Sequence, residues 1–294
     1  MLNIRTNPII QDVKLPDLRD RHVKVLREDL VHPFTGGNKW RKLKYNLIDF
    51  REQNKKVLLT FGGAFSNHLI ATSAAANQLG IDSIGIVRGD VVANPCIQFM
   101  QENKMKIIFI SREEYRLKNN EEFISALLLK LLAQGYIKNP DDVFILPEGG
   151  SNAAAVEGTA EMASELIHTE NIFCACGTGA TVAGLSKGIK SNQHIHGIPV
   201  LKAESFMSDN ISSLGGDLSK ITLHYDYHFG GYAKTSPELD KFCRDFYFLN
   251  RIQIEPVYTG KMFWALQDLI KKGTFPVQSS ITAIHTGGIY PFFP

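Results

Sequence analysis

A lysine lies in a glycine-rich segment near the start of the chain. The segment FTGGNKWRK, residues 34–42, places Lys39 directly after two glycines and an asparagine. Glycines at such a position let a flat ligand approach the backbone and reach the amine. A lysine in a low-dielectric pocket can lose its proton and act as a nucleophile toward an aldehyde. The alternative is a solvated lysine in a basic surface patch with Arg41, Lys42 and Lys44.

A second segment, CGTGATVAGL at 176–185, has the composition of an anion-binding loop. It follows an apolar run that predicts a strand, and a helix is expected to open near Thr181. Gly177 and Gly179 allow several backbone N–H groups to turn toward one point, and the helix N-terminus adds a partial positive charge. The segment either binds a phosphate or is a glycine turn that packs a helix on a strand. A nucleotide-binding Gly-Lys-Ser/Thr loop is not indicated, because Lys187 comes too late.

A third segment, FGGAFSNH at 61–68, offers the hydroxyl of Ser66, the amide of Asn67 and the imidazole of His68 at a predicted helix start. That position favours an anion such as a carboxylate. The alternative is ordinary helix capping by Ser66 or Asn67. A fourth segment, PEGGSN at 147–152, is typical of a strand end followed by a tight turn and a helix cap.

Two further segments lie near the C-terminus. PVYTGK, 256–261, places Tyr258 and Thr259 in a loop before a helix predicted from Lys261. A tyrosine there can donate or accept a proton, although a packed tyrosine is the commoner case. HTGG, 285–288, ends the last predicted strand and carries Thr286.

Alternating elements are predicted to position these segments. Strands are expected at 57–61, 83–87, 106–110, 143–146, 172–175, 197–200, 221–224 and 281–285. Helices are expected at 66–79, 94–103, 120–134, 152–167, 181–189, 236–250 and 261–271. Such alternation predicts an α/β fold, with mostly parallel twisted sheets flanked by helices. In these sheets ligands bind beyond the carboxyl ends of the strands, where the segments above lie.

Composition narrows the class of protein. The chain has 294 residues, 44% of them hydrophobic and 21% charged, which is ordinary for a globular protein of about two domains. Its 32 basic and 30 acidic residues nearly balance, so a nucleic-acid or anionic-membrane partner is not indicated. No secretory signal or membrane-spanning run is evident, and we expect a cytoplasmic protein.

The four cysteines do not suggest a disulfide framework in so long a chain. Cys174 and Cys176 lie two residues apart in a predicted strand, and we expect them to point to opposite faces of the sheet. A joint metal site at these thiols is therefore not predicted, and no other metal site is.

Taken together, the segments resemble those of a known enzyme family. GGNKWRK, GG-x-x-SNH, PEGGSN, GTGAT-x-AGL, VYTGK and HTGG occur in family order between residues 26 and 288. The chain thus resembles the pyridoxal 5′-phosphate (PLP) enzymes of the tryptophan synthase β-subunit type, fold type II. Within that type it is most similar to the branch of D-cysteine desulfhydrase and 1-aminocyclopropane-1-carboxylate deaminase.

The resemblance implies an architecture. A small α/β domain at 42–152 would be inserted into a large PLP-binding domain formed by 1–41 and 153–294, with PLP between the two. Members of this branch look like homodimers that act on a small amino acid.

The resemblance also implies roles for individual residues. Lys39 would bond covalently to PLP, and Asn67 would hydrogen-bond its phenolic oxygen. The PLP phosphate would be held by Gly177, Thr178, Gly179, Ala180 and Thr181. Thr259 and Thr286 would also contact the cofactor. The substrate would be bound by Ser66, Asn67 and His68, with Tyr258 beside it as an acid/base or positioning group, so that Lys39, Ser66 and Tyr258 form the catalytic set.

One residue separates two possible reactions. In the deaminases the tyrosine of this motif is followed by a glutamate, which can keep the PLP ring nitrogen protonated, whereas this chain has Thr259, as the desulfhydrases do. A neutral hydroxyl cannot supply that charge. We therefore expect α,β-elimination from a D-amino acid such as D-cysteine, giving pyruvate, ammonia and hydrogen sulfide. Phe65 and Trp40 depart from the family pattern and would make the pocket mouth more apolar.

Three alternatives remain open at this point. The chain could act as a 1-aminocyclopropane-1-carboxylate deaminase, which forms 2-oxobutanoate and ammonia. It could bind PLP with little turnover, as a carrier or regulator. It could bind a nucleotide at GTGAT, although no magnesium-binding or ribose-reading pattern accompanies that loop.

Overall fold

The computed structural model describes residues 8–202, 204 and 206–290. Its strands are β1 (Ile9–Leu15), β2 (Leu18–Arg27), β3 (Val57–Gly63), β4 (Asp82–Arg88), β5 (Lys106–Ile110), β6 (Val143–Leu146), β7 (Asn171–Cys176), β8 (His194–Pro199), β9 (Ile221–Leu223) and β10 (Ile281–Ile284). Its α-helices are α1 (Asn38–Glu52), α2 (Asn67–Leu79), α3 (Pro95–Glu102), α4 (Arg112–Arg116), α5 (Glu121–Ala133), α6 (Ala153–Ala160), α7 (Ala180–Gly188), α8 (Met207–Ser213), α9 (Pro237–Asn250) and α10 (Thr259–Lys271).

The described residues form two compact units. Unit 1 consists of 43–151 together with Tyr290, and unit 2 consists of 8–42 and 152–289. The inserted domain predicted from the sequence, 42–152, differs from the 43–151 segment of unit 1 by one residue at each end. The prediction did not include Tyr290 in this domain. Helix α1 begins in unit 2 and continues in unit 1.

Unit 1 contains a four-stranded parallel sheet in the order β5-β4-β3-β6. Its central strand β3, VLLTFGG, is buried from Val57 to Gly62. A near-continuous apolar run of this kind is what a parallel strand covered on both faces requires. The strand ends at a glycine pair, beyond which the chain turns into α2.

Unit 2 contains a six-stranded sheet in the order β1-β2-β10-β7-β8-β9. All neighbours are parallel except β1 and β2, which form an antiparallel hairpin at one edge. The predicted α/β class, with mostly parallel sheets flanked by helices, is confirmed. The hairpin was not predicted. The charged residues at the start of β2 interrupt the alternation of apolar and polar residues that would indicate a strand, and VKVL alone is too short to show it.

The cysteine prediction was wrong in one respect. Cys174 and Cys176 pack in one core cluster, whereas Phe173 and Ala175 pack in another. Residues two apart on a strand share a face, so the two thiols point to the same side of β7. Both are free and buried, and burial raises the pKa of Cys174 to about 12, so its thiol stays protonated. Among the residues described, no group of three or more His, Cys, Asp and Glu side chains is arranged to hold a metal ion.

None of the helices described combines the length and the apolar character needed to cross a membrane.

Three imidazoles meet along β8 and just after β9. His196 stacks between Phe173, at 4.8 Å between ring centroids, and His224, at 5.3 Å. Its Nδ1 lies 3.0 Å from Nε2 of His224, and its Nε2 lies 3.2 Å from Oδ1 of Asn171. Burial, together with the charges of His224 and His194, lowers the pKa of His196 to about 3. Folding therefore holds this imidazole in its neutral form.

This cluster predicts a stability that falls with acidification. A histidine whose pKa is lowered by folding takes up protons in the unfolded chain first, so its contribution is present above about pH 6.5 and is lost as the pH falls toward the folded value. The free energy of unfolding should fall by up to about 1.4 kcal/mol per pH unit for each proton involved. Urea unfolding of wild-type protein and His196→Phe between about pH 6.5 and pH 4 should show a shallower slope for the variant. The exposed His168→Gln serves as the control, and an unchanged slope in His196→Phe would contradict the assignment.

Candidate active site

Helix α1 presents two lysines from its first turns. It begins at Asn38, so Lys39 and Lys42 are three residues apart and lie on neighbouring positions of one helix face. Lys39 is half-buried and Lys42 is only 4% exposed. The preceding Gly37 has a φ of +70°, and a Cβ there would come within 2.1 Å of the carbonyl oxygen of Thr286. Only glycine fits this approach between the two loops.

Hydrogen bonds connect both lysines to the GTGAT loop. Lys39 Nζ donates to Oδ1 of Asn38 at 2.7 Å, and Asn38 Nδ2 donates to Oγ1 of Thr181 at 3.0 Å. Lys42 Nζ donates to Oγ1 of Thr178 at 3.3 Å. The structure therefore brings Lys39 together with the loop that the sequence predicts to bind phosphate. The interpretation of Lys39 as a solvated surface lysine is wrong.

Burial makes both amines easier to deprotonate. It lowers the pKa of Lys39 to about 8, although the acidic groups of Cys174 and Glu255 act in the opposite direction. Burial and the neighbouring charge of Lys39 lower the pKa of Lys42 to about 7. A neutral Lys39 amine is therefore accessible near neutral pH and can act as a nucleophile. A bound anion would offset the cost of holding two ammonium groups in this region.

The GTGAT loop has the geometry of an anion site. Gly179 has a φ of +89°, and a Cβ there would lie 2.8 Å from the Ile211 side chain. Helix α7 starts at the next residue, and Gly179 at its N-cap has no side chain that could cap the first turn. The first N–H groups of a helix have no partner within the helix, and its N-terminus attracts negative charge. The hydroxyls of Thr178 and Thr181 lie at the same turn, already bonded to Lys42 and Asn38.

Tyr258 lies against this loop. A Cβ built at Gly177 would be 3.3 Å from Cε1 and 3.8 Å from the hydroxyl oxygen of Tyr258. The ring of Tyr232 meets the ring of Tyr258 edge-on, with centroids 5.9 Å apart. Thr259 follows as the first residue of α10 and is fully buried. The prediction of a helix from Lys261 placed this start two residues too late.

Glu255 holds the start of α10. Its carboxylate accepts hydrogen bonds from the backbone N–H groups of Val257, Tyr258 and Thr259, and from the Thr259 hydroxyl. Sequence reasoning missed this residue. The signal was an acidic side chain followed by proline shortly before a helix, a pattern that suits helix capping.

Two other contacts complete the unit 2 part of the site. The carbonyl oxygen of Thr286 accepts a hydrogen bond from the N–H of Asn38 at 3.3 Å, and its side chain is buried. Lys261 is fully buried, and its ammonium donates to the carbonyl oxygens of Val200, His228 and Gly231. These bonds fix the loop that carries Tyr232. Sequence reasoning also missed Lys42, Tyr232 and Lys261 as contributors.

Unit 1 carries the third predicted segment. The Ser66 side chain accepts a hydrogen bond from the N–H of Leu69 and caps α2, so the capping interpretation is confirmed. Phe65 beside it is 60% exposed. His68 is buried, and its Nε2 lies 2.8 Å from the hydroxyl of Thr60. Because Thr60 donates to the carbonyl of Leu146, its oxygen accepts from Nε2 of His68. Carboxylate binding by Ser66, Asn67 and His68 stays a prediction.

The fold and unit 2 define a class of protein. The chain is an α/β protein in which a readily deprotonated lysine is connected by hydrogen bonds to a glycine-rich helix start. Residues 1–287 match the family described as pyridoxal-phosphate dependent enzymes, and the chain belongs to that family.

Similar proteins agree with this family. A Pyrococcus horikoshii protein, provisionally named 1-aminocyclopropane-1-carboxylate deaminase, is 32% identical over 285 residues, which cover 91% of this chain and 84% of the relative. D-cysteine desulfhydrase of Klebsiella pneumoniae is 27% identical over 302 residues, covering 95% of this chain and 90% of the relative. The crystal structure of an ACC deaminase homologue superimposes with a TM-score of 0.85 at 28% identity, covering 100% of this chain and 93% of that one.

The residues of unit 2 fit PLP. The cofactor combines an anionic phosphate with an aldehyde. Two lysines whose pKa is lowered by burial lie beside a helix N-terminus and two threonine hydroxyls, which suits both groups. The Lys39 amine would bond to the aldehyde, while Lys42 and the GTGAT loop would hold the phosphate.

We expect Lys42→Gln to weaken PLP binding. A charge-assisted hydrogen bond is worth about 1.5–3 kcal/mol, so affinity should fall by about 10- to 100-fold. The exposed Lys24→Gln removes the same charge from the same unit and should leave the affinity unchanged. Titration of the PLP-free apoprotein with PLP, followed by absorbance, measures both. Equal affinities of Lys42→Gln and wild type would show that Lys42 does not contact the phosphate.

Proposed function

We propose that this enzyme is a lyase that eliminates the thiol of a small D-amino acid, with D-cysteine as the expected substrate. One D-cysteine and one water would give pyruvate, ammonia and hydrogen sulfide. The observation that carries the proposal is the Lys39 amine, whose pKa is lowered to about 8 and which is connected through Asn38 to the phosphate loop. The likeness to a relative named D-cysteine desulfhydrase supports the choice of substrate.

The amine of Lys39 is proposed to act twice. Its nitrogen holds the PLP aldehyde in the resting enzyme and, once the substrate amine replaces it, removes the proton from substrate Cα. When bound, the cofactor supplies an electron sink for the charge that develops at that carbon. A pKa of about 8 suits the second role, because a general base works best when its pKa lies near the working pH. Asn67 is proposed to bind the phenolic oxygen, and Thr286 to contact the cofactor ring.

Other residues are proposed to bind and orient the substrate. Ser66 and the N-terminus of α2 are expected to bind the substrate carboxylate, since a helix start attracts anions. Tyr258 is proposed to donate a proton to the sulfur as the Cβ–S bond breaks. The contact of its ring with Gly177 and the capping of its N–H by Glu255 restrict its position. The amino acid freed of its thiol then loses ammonia by reaction with water.

A second candidate is deamination of 1-aminocyclopropane-1-carboxylate to 2-oxobutanoate and ammonia. The relative from Pyrococcus horikoshii, named for that activity, favours it. Ring opening needs a strong electron sink, and Thr259 by itself supplies no charge for one. We therefore place deamination of 1-aminocyclopropane-1-carboxylate second. A homodimer in the cytoplasm is also part of the proposal, based on the family resemblance, and sedimentation analysis tests the dimer.

The covalent role of Lys39 can be tested directly. Purified wild-type protein with added PLP should be yellow, and borohydride should fix PLP to Lys39, where peptide mass spectrometry locates it. Lys39→Ala should show neither the colour nor the adduct. A colourless wild-type protein that does not respond to PLP would contradict the proposal.

A substrate panel then separates the two reactions. D-cysteine, L-cysteine, D-serine and 1-aminocyclopropane-1-carboxylate are assayed for sulfide and keto acid. We expect sulfide and pyruvate from D-cysteine and no 2-oxobutanoate from the cyclic substrate. The opposite pattern would replace the first candidate with the second.

Ser66 offers a test of carboxylate binding that is separate from its capping role. Ser66→Asn keeps a good helix cap and should leave the thermal midpoint near that of wild type, whereas Ser66→Ala should cost about 1 kcal/mol of stability. Both lose the hydroxyl, so KM for D-cysteine should rise by about tenfold in each. If KM rises only in Ser66→Ala, the hydroxyl serves the helix alone.

A further inference from the structure

We propose that Glu255 is a positioning residue that acts through Thr259: its carboxylate holds the Thr259 proton, so that Thr259 Oγ1 presents a lone pair, backed by negative charge, to the protonated ring nitrogen of PLP. The inference rests on the proposed function and deepens it. It gives this site a charge that Thr259 alone lacks.

The first observation is the direction of the hydrogen bonds. Thr259 Oγ1 donates to Oε1 of Glu255 at 3.0 Å and accepts from the backbone N–H of Glu255 at 3.1 Å. A hydroxyl has one proton and two lone pairs. With its proton on the carboxylate and one lone pair on the N–H, Thr259 is left able to accept one more hydrogen bond and unable to donate one. Such a hydroxyl favours the protonated form of a ring nitrogen.

The second observation is the saturation of the carboxylate. Oε1 of Glu255 accepts from the N–H of Thr259 at 2.8 Å, and Oε2 accepts from the N–H of Val257 at 2.7 Å. The N–H of Tyr258 lies 3.0 Å from both oxygens. Every one of these contacts is a donor, which favours a carboxylate over a carboxylic acid. A proton on either oxygen would point at another proton.

The charged surroundings also favour the ionised form. Burial raises the pKa of Glu255, and the hydrogen bonds from residues 257–259 act in the opposite direction. The amines of Lys39 and Lys261 both feel its negative charge, and so does the Cys243 thiol, whose pKa burial raises to about 12. Two amines and one neutral thiol therefore lie within reach of its charge, and the amines, when protonated, favour the ionised carboxylate.

A double-mutant cycle tests whether Glu255 acts through Thr259. Glu255→Gln, Thr259→Val and the double variant are loaded with PLP, and the pH midpoint of the visible absorbance is measured. Losing the charge behind the ring nitrogen should shift the midpoint upward by about one pH unit in each single variant. The reason is that an unprotonated ring no longer lowers the pKa of the nitrogen that joins Lys39 to PLP. The double variant should match Thr259→Val. Shifts that add would overturn the proposal, as would an unchanged midpoint in Glu255→Gln.

Two controls separate this coupling from a general loss of structure. Asp268→Asn removes a carboxylate that lies within α10 and is bonded to Tyr227, and it should leave the midpoint unchanged. Hydrogen exchange of the apoprotein reports the capping itself: the N–H groups of residues 257–259 should exchange faster in Glu255→Gln and at the wild-type rate in Thr259→Val. Equal exchange in Glu255→Gln and wild type would overturn the proposal without any bound cofactor.

The failure of this inference differs from that of the proposed function. A wild-type protein that binds no PLP overturns both. A protein that binds PLP at Lys39 but shows additive shifts overturns only the inference about Glu255. If Glu255→Gln does not fold, Glu255→Asp takes its place in the cycle, since a shorter carboxylate cannot keep both the backbone and the hydroxyl contacts.

Discussion

The site depends on the burial of two lysines against the start of one helix. Lys39 and Lys42 come from one turn of α1, and hydrogen bonds through Asn38 and Thr178 connect them to the GTGAT loop. Two ammonium groups this close are costly away from water, and the cost appears as a lowered pKa for both. The same cost makes one amine a nucleophile and makes the region attract an anion. In the proposed function, the nucleophilicity of Lys39 and the affinity for the cofactor phosphate thus have one electrostatic origin.

Sequence reasoning recovered the parts of the site that are local. Four of the glycine-rich segments, FTGGNKWRK, FGGAFSNH, PEGGSN and CGTGATVAGL, lie where a strand or loop leads into a helix. Glycine spacing identifies such turns without knowledge of the fold. The connection of Lys39 to the GTGAT loop could not be derived in that way, because it passes through the hydrogen bond between Asn38 and Thr181, which are 143 positions apart. Only the family resemblance anticipated it. The error over Cys174 and Cys176 was of another kind, since strand periodicity alone puts them on one face.

Glu255 and Lys261 were missed for a physical reason. Both are charged residues whose partners are mainly backbone groups: three N–H groups for the carboxylate and three carbonyl oxygens for the ammonium. A sequence shows side-chain types and spacing, but it does not show which backbone groups lack partners. The need for such partners arises only when loops pack at the start of α10 and beside β8. Charged residues that complete the backbone in this way resemble solvated ones until the structure is known.

The N-termini of α7 and α10 differ in the sign of their local charge. The difference matches the chemistry proposed for each. At α7 the N-cap residue is Gly179, which has no side chain to offset the partial positive charge where a phosphate is expected. At α10 the carboxylate of Glu255 takes up the first N–H groups and reverses that charge. A positive field at α10 would oppose a protonated ring nitrogen, whereas a hydroxyl backed by a carboxylate favours it. In the proposed arrangement the hydroxyl of Thr259 lies between the carboxylate of Glu255 and the ring nitrogen. The electron sink is therefore weaker than it would be with a carboxylate in direct contact with that nitrogen. A weaker sink is enough when a thiolate leaves from Cβ, and it is less suited to opening a carbon ring.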